Sequence, residues 1–530
     1  MYEHGWPDPS CFAKHEEHAA ALPRSISGFD IYSATSTPSH LNHEFLDHGN
    51  TPDATSSAST RSSCSKKTEV DYDESIGIEM QIAKTPINSS DSNSRSKLFT
   101  NVECCPSLQK HSTKSVVAII FGDGTESKLN PLTKRRSDGA IPIAANYRLV
   151  DIVISNCINS NITKIYAFTQ FNSTSLNSHL SRAYSALGLG REGFVEVIAA
   201  YQSPEDNKWF QGSADAVRRC LWVLEEHPVT EFLVLPGHHL YKMNYKDLIH
   251  AHRSSGADIT IAARHAATVK RNPGLGYLQI SSNNNVVAIR DKTEGGPEKP
   301  SNESSSTKND MNKRGDGEGY WSMGIYVIKR EALVKLLKWH MPNADHFSTQ
   351  VLPGAINVGM KVMAYKFDGY WEDMKNIEAF YQANMDIRLN KIPGFNFYDK
   401  DAPIYTLPRC LPPSMISDAV ITESIIGDGC IINNCKIKNS VIGMLSCIRD
   451  RVMEDVQRST GTTTDIPIGI GEGSYIKKAI IDKNARIGQN VRIANKDNVQ
   501  EGSRDANGYA FSGGIVTVLR GAVIPDNTVI

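Results

Sequence analysis

Apolar residues in the middle of the chain fall into short continuous runs separated by stretches with helical spacing. Val116–Phe121 is one such run, which is typical of a strand buried on both faces of a parallel sheet. Further strands are predicted at Ile162–Phe168, Val195–Ala199 and Phe232–Leu235, and helices at 149–157 and Ser213–Glu226. This alternation predicts a doubly wound α/β domain with its site outside the carboxyl ends of the strands.

A different period begins at Val420. Aliphatic residues recur mainly every six residues, with occasional steps of five, in two series. The positions are Val420, Ile426, Ile432, Ile437, Ile442 and Ile448, then Ile470, Ile476, Ile481, Ile487, Ile493 and Val499. A six-residue period fits neither a helix face nor a meander of hairpins, and it indicates a parallel β-helix of hexapeptide repeats.

Polar and proline-rich segments divide the chain. Residues 1–113 contain too few bulky apolar side chains to fold, so we predict a disordered N-terminal region. A transit peptide is one interpretation of it, although its acidic residues are atypical, and an extended tail or a misassigned start is the alternative. We expect an α/β domain at 114–405 with a mobile polar loop at 296–320, a proline-marked linker at 406–419 and the β-helix at 420–530.

Charge and composition exclude several classes of protein. The 57 basic and 58 acidic side chains leave a net charge of −1, which argues against a nucleic-acid-binding protein. Apolar runs do not approach the ~20 residues needed to cross a bilayer, so no membrane partner is expected. The ten Cys residues form no paired Cys-x-x-Cys framework, which argues against a structural zinc site and against a disulfide scaffold.

The loop after the first strand is a candidate phosphate-binding segment. Gly122 and Gly124 can expose backbone N–H groups to a phosphate, and Lys128 can add a counter-charge. Taken alone, two glycines at this spacing are explained equally well by a tight turn between a strand and a helix.

Long strings elsewhere carry a resemblance to a known family. They include Ala145-Asn-Tyr-Arg-Leu-Val-Asp, Trp209-Phe-Gln-Gly-Ser-Ala-Asp-Ala-Val-Arg, Asp368-Gly-Tyr-Trp-Glu-Asp and Ile480-Ile-Asp-Lys-Asn-Ala-Arg-Ile-Gly. Over residues 114–530 the chain resembles the small subunit of plant-type ADP-glucose pyrophosphorylase, which is glucose-1-phosphate adenylyltransferase. The resemblance implies a Rossmann-like nucleotidyltransferase domain with a doubly wound mixed sheet, followed by a left-handed parallel β-helix.

The same resemblance implies a reaction and partners. In the family, ATP and glucose 1-phosphate give ADP-glucose and pyrophosphate with Mg²⁺, in starch biosynthesis. The implied assembly is a tetramer of small and large subunits in the plastid, although the atypical N-terminus leaves a cytosolic location open.

The phosphate-binding segments depart from the family pattern. The family's first loop reads Gly-Gly-Gly-Ala-Gly-Thr-Arg-Leu, whereas this chain carries Asp123 and Glu126 beside the expected triphosphate. Lys128 replaces the family's essential Arg, which keeps the charge but loses the fork of a guanidinium. Asp138 stands where the family has a phosphate-binding Lys, so an anion replaces a cation.

The metal-binding positions depart further. The family has Gly-Asp-His-Leu-Tyr with the Asp on Mg²⁺, and here His238 replaces that Asp while the second metal carboxylate is retained as Asp373. Mg²⁺ prefers oxygen ligands, so one ligand of two is left and the site is predicted to have lost its metal. Zinc on His238 and His239 is the alternative, which we disfavour because adjacent side chains at a strand end point in opposite directions.

The resemblance assigns further positions to ligands. Asp291 and Lys292 match the family's Glu-Lys that binds glucose 1-phosphate, and Ser322 and Tyr326 hold matching pocket positions. The nucleotide-side and effector-coupling positions are Gln170, Gln202, Trp209 and Gly212. Each of these four also has a purely structural explanation, with Trp209 as a filler of the core.

The allosteric positions of the family are partly retained. Arg148 and Lys483 stand where the family binds phosphorylated activators, whereas the family's Arg before His179 is here Ser178. A solvated surface charge explains Lys483 equally well. Two hypotheses follow: an adenylyltransferase with an altered site, and a catalytically degenerate homologue that acts as a structural or regulatory subunit.

Overall fold

The central strand of the main sheet, β1 (Val116–Phe121), is buried over its first five residues. The structure is a computed structural model, and it describes residues 113–122, 127–200, 208–269, 276–290, 319–389, 395–449 and 466–530. The predicted disordered region and most of the predicted mobile loop therefore lie outside the described residues. The loop was predicted to end at Tyr320, but Gly319 and Tyr320 already belong to a strand.

The described part of the α/β domain has twelve further strands and eight α-helices. The strands are β2 (Pro142–Ile143), β3 (Tyr147–Arg148), β4 (Lys164–Thr169), β5 (Phe194–Ala199), β6 (Glu231–Pro236), β7 (His239–Tyr241), β8 (Ile259–His265), β9 (Tyr277–Ile280), β10 (Val286–Arg290), β11 (Gly319–Lys329), β12 (Val362–Lys366) and β13 (Trp371–Asp373). The helices are α1 (Leu149–Asn159), α2 (Thr174–Ala183), α3 (Ser213–Arg219), α4 (Leu221–Glu225), α5 (Tyr245–Ser255), α6 (Arg330–Lys335), α7 (Leu352–Asn357) and α8 (Ile377–Arg388).

The main sheet is mixed and covered on both faces. Its order is β10-β9-β11-β6-β1-β4-β5, with β8 paired to β11 and β12. Strands β1, β4, β5 and β6 run in parallel, and β11 runs antiparallel to β6. Alternate residues of β1 enter opposite layers, because Val117 and Ile119 pack with α3, α4 and α6 whereas Ala118 and Ile120 pack with α1, α2 and α5.

One predicted helix is divided in the structure. The apolar spacing over Ser213–Glu226 predicts a single helix, but α3 ends and α4 begins at Cys220, whose φ of −104° and ψ of 13° depart from helical geometry. Val217, Leu221 and Leu224 are buried in the same layer on both sides of the break. The break therefore leaves the apolar periodicity unchanged, and the periodicity could not reveal it.

The C-terminal part forms stacked short strands. They are β14 (Met415–Ser417), β15 (Val420–Thr422), β16 (Ile425–Ile426), β17 (Ile431–Asn433), β18 (Lys436–Lys438), β19 (Val441–Ile442), β20 (Cys447–Ile448), β21 (Gly469–Ile470), β22 (Tyr475–Ile476), β23 (Ala479–Ile481), β24 (Arg486–Ile487), β25 (Arg492–Ile493), β26 (Gly502–Arg504), β27 (Tyr509–Ser512), β28 (Ile515–Val518) and β29 (Val523–Ile524). One face stacks β14-β17-β20-β21-β24-β29, and separate parallel pairs form the other faces. Asn434 and Asn439 turn corners between faces with φ of 44° and 56°, a conformation that Asn tolerates.

Two parts of the β-helix differ from the six-residue pattern. Strand β14 lies in the predicted linker, yet it pairs in parallel with β17. The six-residue series begins only at Val420, so it does not include Met415 and Ile416. Strands β26, β27 and β28 form an antiparallel meander that the repeat does not predict, and β28 returns to pair in parallel with β23.

Polar contacts join the β-helix and the preceding segment to the α/β domain. Arg136 forms a nearly buried ion pair with Asp482. Thr406 Oγ1 donates to Asp151 Oδ2 at 2.6 Å, which holds the start of the predicted linker against α1. Among the described residues, no helix is both long enough and apolar enough to cross a bilayer.

Candidate functional site

A cavity opens at the carboxyl ends of β1, β4 and β6, where the sequence predicts the site. It is lined by Phe121, Ser127, Phe168, Thr169, Gln170, Phe210, Gly212, Ser213, Ala216, Val234, Pro236, His238, Gly324, Tyr326, His346, Phe347, Ser348 and Lys375. The structure thus brings together Gln170, Gly212, His238 and Tyr326, which the sequence assigns to nucleotide, sugar and catalytic positions. His346 and Lys375 are lining residues that the sequence analysis missed.

A short turn carries the chain from β6 to β7. Gly237 is required there, because a Cβ atom at this position would lie 2.4 Å from the carbonyl oxygen of Phe121. The next strand, β7, pairs antiparallel with β13, and His239 is the register partner of Asp373. This pairing places His238, His239 and Asp373 together at the end of the sheet.

The three side chains converge on one carboxylate oxygen. His238 Nε2 and His239 Nε2 each lie 3.4 Å from Asp373 Oδ1, and Lys375 Nζ lies 3.7 Å from the other oxygen, Oδ2. His238 is 6% exposed, and His239 and Asp373 are fully buried. Lys375 could have been found from the sequence, since it follows Asp373 by two residues.

The prediction that the two imidazoles point apart is wrong. Their ring centroids are 4.7 Å apart at an interplanar angle of 80°. The alternation of a strand does not govern this pair, because His238 lies in the turn and only His239 belongs to β7. One donor atom from each of His238, His239 and Asp373 lies within 4.8 Å of the other two.

Burial controls the protonation of this cluster. It lowers the pKa of His239 to about 4, more than the Asp373 carboxylate raises it, so the ring is neutral at pH 7. Burial also acts to raise the pKa of Asp373, but the two imidazoles outweigh it and hold that pKa well below its usual value. The cluster at neutral pH therefore has one carboxylate and a neutral His239.

This donor set does not fit Mg²⁺. A magnesium ion takes oxygen ligands in octahedral geometry and usually keeps several waters. Two of the three donors that converge here are imidazole nitrogens. Asp373 is the only carboxylate in the cluster, as the sequence predicts.

The residues predicted to bind phosphate surround the loop after β1. A Cβ atom on Gly122 would lie 2.6 Å from Leu176 Cδ2 and 3.2 Å from the carbonyl oxygen of Phe168, so the space beside this glycine is tight. Lys128 is not among the cavity-lining residues, and its backbone N–H donates to the carbonyl of Lys375 at 2.7 Å. Asp138 is buried and accepts a hydrogen bond from Ser127 Oγ at 3.0 Å. Gly124 lies outside the described residues.

The nucleotide- and sugar-side positions are divided between the cavity and the sheet. A Cβ atom on Gly212 would lie 2.3 Å from the carbonyl oxygen of Asp345, which explains the glycine by close approach. Tyr326 is buried against the cavity, and burial raises the pKa of its hydroxyl. Ser322 is buried on β11 and its Oγ accepts from the N–H of Gly324 at 3.2 Å. Asp291, Lys292 and Gln202 lie outside the described residues.

The alternative interpretation of Trp209, as a residue that fills the core, is wrong. Its side chain is 44% exposed and packs edge-on against Phe171, which is itself 51% exposed, at a centroid distance of 6.4 Å. The two rings form an exposed aromatic pair, and Phe171 directly follows the cavity-lining Gln170 in the chain.

A second cluster gathers cations where the β-helix meets the α/β domain. Burial lowers the pKa of Lys483, and the positive charges of Arg520, Arg409, Arg148 and Arg136 act in the same direction. Arg148 also donates to the carbonyl of Ser175 at 2.6 Å. The structure thus brings the two predicted allosteric residues together and adds Arg136, Arg409 and Arg520, which the sequence analysis did not single out.

Comparisons with known proteins agree with this architecture. The nucleotidyl transferase family model matches residues 117–390, and the model of the GLGC left-handed parallel beta-helix domain matches residues 409–529. The chain is 53% identical over 436 residues to the Arabidopsis thaliana protein named inactive glucose-1-phosphate adenylyltransferase small subunit 2, chloroplastic, covering 79% of this chain and 89% of the relative. It is 49% identical over 440 residues to the Triticum aestivum glucose-1-phosphate adenylyltransferase small subunit, chloroplastic/amyloplastic, covering 80% and 93%.

This chain belongs to the family of glucose-1-phosphate adenylyltransferase small subunits. The predicted resemblance and fold class, including the left-handed β-helix, are confirmed. Members named inactive occur in the family, as the name of the Arabidopsis relative shows. Membership in the family is therefore compatible with both of the functional hypotheses drawn from the sequence.

Proposed function

We propose that this chain is a glucose-1-phosphate adenylyltransferase subunit with weak or no activity of its own, which assembles with family subunits in the plastid. His238 carries the proposal, since the family resemblance expects a metal-binding Asp there and the cluster around it does not suit Mg²⁺. The alternative, an active adenylyltransferase with an altered site, would need its transition-state charge to be stabilised in another way.

The chemistry explains why these substitutions matter. In the family reaction the sugar phosphate attacks the α-phosphorus of ATP, and negative charge builds on the departing pyrophosphate. Stabilising this charge requires cations fixed in position, and losing one such group commonly costs ~10²–10³ in rate. The buried carboxylate of Asp138 would repel this negative charge. It lies close to the cavity, because it accepts a hydrogen bond from Ser127, which lines the cavity. Lys128 would contribute a charge without a bidentate contact.

We further propose that glucose 1-phosphate or ADP-glucose binds weakly whereas Mg-ATP binds poorly. The buried Ser322 and the cavity-lining Tyr326 support a retained sugar subsite. Lys292 would hold the sugar phosphate. Asp123, Glu126 and Asp138 would repel the triphosphate.

The cations around Lys483 support a proposed site for phosphorylated effectors. Close cations repel one another, and an anion bound among them relieves the repulsion. Arg148 and Lys483 would bind the effector phosphate, and Arg409 and Arg520 would complete the site.

The proposed assembly is a tetramer with large and small subunits. The relatives are named as small subunits and as chloroplastic or amyloplastic, which supports partner subunits and a plastid location. Exposed aliphatic residues on the β-helix, among them Val420, Leu445 and Val529, offer surface for subunit contacts. We retain the predicted α/β domain at 114–405 and β-helix at 420–530 as part of the proposal, with β14 joining the β-helix from the segment between them.

A pyrophosphate-release assay tests the function. The purified chain is assayed with ATP, glucose 1-phosphate and Mg²⁺, alone and co-expressed with a family large subunit, with light scattering to record the assembly. We expect co-assembly and little turnover by the chain alone. Turnover equal to that of the wheat small subunit under the same conditions would refute impaired catalysis, and a persistent monomer would refute the subunit role.

A further inference from the structure

His238, His239 and Asp373 together form a donor cluster that the family's Mg²⁺ chemistry does not explain. We propose that this cluster is a binding site for a borderline divalent transition-metal ion of the Zn²⁺ or Co²⁺ class. The inference concerns which ion the site selects, so it holds whether or not the chain turns over substrate.

Two of the three distances between the donor atoms match the edge of a metal coordination sphere, and the two imidazole donors lie within 4.8 Å of each other. Metal–ligand lengths of about 2.0–2.2 Å place two ligands of a tetrahedral ion about 3.4 Å apart. Each imidazole Nε2 lies 3.4 Å from Asp373 Oδ1. Neither Nε2 atom forms a hydrogen bond of acceptable geometry among the described residues, so hydrogen bonding does not account for the convergence.

Burial without satisfied partners supports the assignment. Both ring nitrogens of His238, and Nε2 of His239, are buried without a hydrogen-bond partner among the described residues. A buried polar atom without a partner costs free energy that a bound ion would recover.

The donor types select the ion. Two imidazoles and one carboxylate suit Zn²⁺, Co²⁺ or Ni²⁺, whereas Mg²⁺ and Ca²⁺ take oxygen ligands. Three protein ligands leave a coordination position open for water or an anion. His238 borders the cavity, so the open position can face it.

Two neighbouring groups oppose binding and shape the test. Lys375 lies 3.7 Å from Asp373 Oδ2, so the metal would share the carboxylate with a cation and take Oδ1. Trp371 Nε1–H donates to His239 Nδ1 at 3.3 Å, which keeps the proton of neutral His239 on Nε2. A metal on Nε2 moves that proton to Nδ1, so the hydrogen bond from Trp371 must break.

Binding of Co²⁺ to the full-length chain tests the site. Cobalt chloride is titrated into metal-free protein while visible absorption reports its coordination, and zinc or magnesium chloride is then added as competitor. We expect saturation at one high-affinity Co²⁺ per chain, displacement by Zn²⁺ and no displacement by equimolar Mg²⁺. Absence of saturable Co²⁺ binding, or displacement by equimolar Mg²⁺, would overturn the proposal.

Matched variants locate the ion. His238→Ala should weaken Co²⁺ binding by roughly tenfold or more, whereas His340→Ala, at an exposed histidine outside the cluster, should leave it unchanged. His238→Asp provides a second test if the Ala variant fails to fold, because a second carboxylate should shift preference from Zn²⁺ toward Mn²⁺. Equal Co²⁺ affinity in the parent and in a folded His238 variant would place the ion elsewhere and refute the assignment.

Discussion

Trp371 fixes the tautomer of His239. The indole N–H donates to Nδ1 at 3.3 Å, and the rings meet nearly edge-on at a centroid distance of 5.4 Å. Because Nδ1 accepts this hydrogen bond, the proton of the neutral ring lies on Nε2, toward Asp373. The indole thus favours the protonation state that a metal ion on Nε2 must reverse.

Replacing this indole should tighten metal binding. In Trp371→Phe, Nδ1 can carry the proton that a metal on Nε2 requires, without facing a second donor. We expect Co²⁺ affinity to rise by about tenfold, corresponding to about 1.4 kcal/mol, the scale of one hydrogen bond. Cobalt titration measures it, with Trp339→Phe as the control because Trp339 is 76% exposed. Weaker binding in a folded Trp371→Phe protein would contradict this account of the tautomer.

Gly237 should prove essential for the position of His238. An alanine there brings its Cβ to 2.4 Å from the backbone carbonyl of Phe121, which cannot move without disturbing β1. Gly237→Ala should lower the free energy of unfolding by about 1–3 kcal/mol and weaken Co²⁺ binding. Thermal and urea denaturation measure the stability change. Gly188→Ala is the matched control, since no atom lies within 4 Å of the place its new methyl group would take, and a similar loss there would discount the argument.

The fold could be predicted because it rests on regular periods. The apolar run of β1 predicts a strand that is buried on both faces of the sheet, and the six-residue spacing predicts the stacked coils of the β-helix. The break at Cys220 escaped prediction because the apolar spacing continues across it, and the meander at 502–518 lies beyond Val499, the last residue of the six-residue series.

The candidate site could be predicted only residue by residue. Sequence reasoning identified His238, Asp373, Arg148 and Lys483, but it could not show which side chains meet. The turn at Gly237 places His238 outside the alternation of β7, so a rule for strands misjudged its direction. The arginines whose charges act on Lys483 come from separate segments: Arg136 and Arg148 from the α/β domain, Arg409 from the segment before the β-helix, and Arg520 from the β-helix itself.

Lys483 should lower the stability of the fold and strengthen the binding of anions. Because the positive charges of Arg520, Arg409 and Arg148 act on Lys483, Lys483→Gln relieves repulsion and should slightly raise the melting temperature at low ionic strength. The same variant should bind inorganic phosphate about tenfold more weakly, as expected for a lost charge-assisted contact. Calorimetry and phosphate-dependent melting measure both effects. Lys438→Gln, at an exposed lysine of β18, is the control, and an equal loss there would show a diffuse surface effect.

His252 should make stability depend on pH. Burial lowers its pKa from 6.5 to about 4, against the opposite effect of Glu231. The unfolded chain therefore takes up this proton at higher pH than the folded chain, so stability is full above about pH 6.5 and falls toward pH 4. From pH 7 to pH 5 the loss should be about 2 kcal/mol. Urea denaturation should show a smaller loss in His252→Gln than in His250→Gln, which changes an exposed histidine of the same helix.

Catalysis should be partly restorable by three substitutions. His238→Asp supplies a second carboxylate beside Asp373, Asp138→Lys replaces a buried anion by a phosphate-binding cation, and Lys128→Arg restores the guanidinium fork. We expect the triple variant to raise ADP-glucose synthesis by at least roughly a hundredfold over the parent, since each electrostatic group contributes on that scale. His238→Asp alone should give less, because a metal without phosphate contacts is incomplete. Coupled pyrophosphate release measures the rates.

The substitution at position 138 is the one most at odds with the structure, and a double variant that omits it is the control. Asp138 is 4% exposed and accepts from Ser127, so a lysine at this position must reach the cavity or remain buried without a partner. The double variant His238→Asp with Lys128→Arg retains Asp138 and separates the effect of the new cation from that of the metal ligand. If the triple variant is folded and tetrameric but remains silent, the cause is either the acids at positions 123 and 126 or a distortion elsewhere in the site. If the parent already matches an active small subunit, the degenerate-site interpretation is wrong.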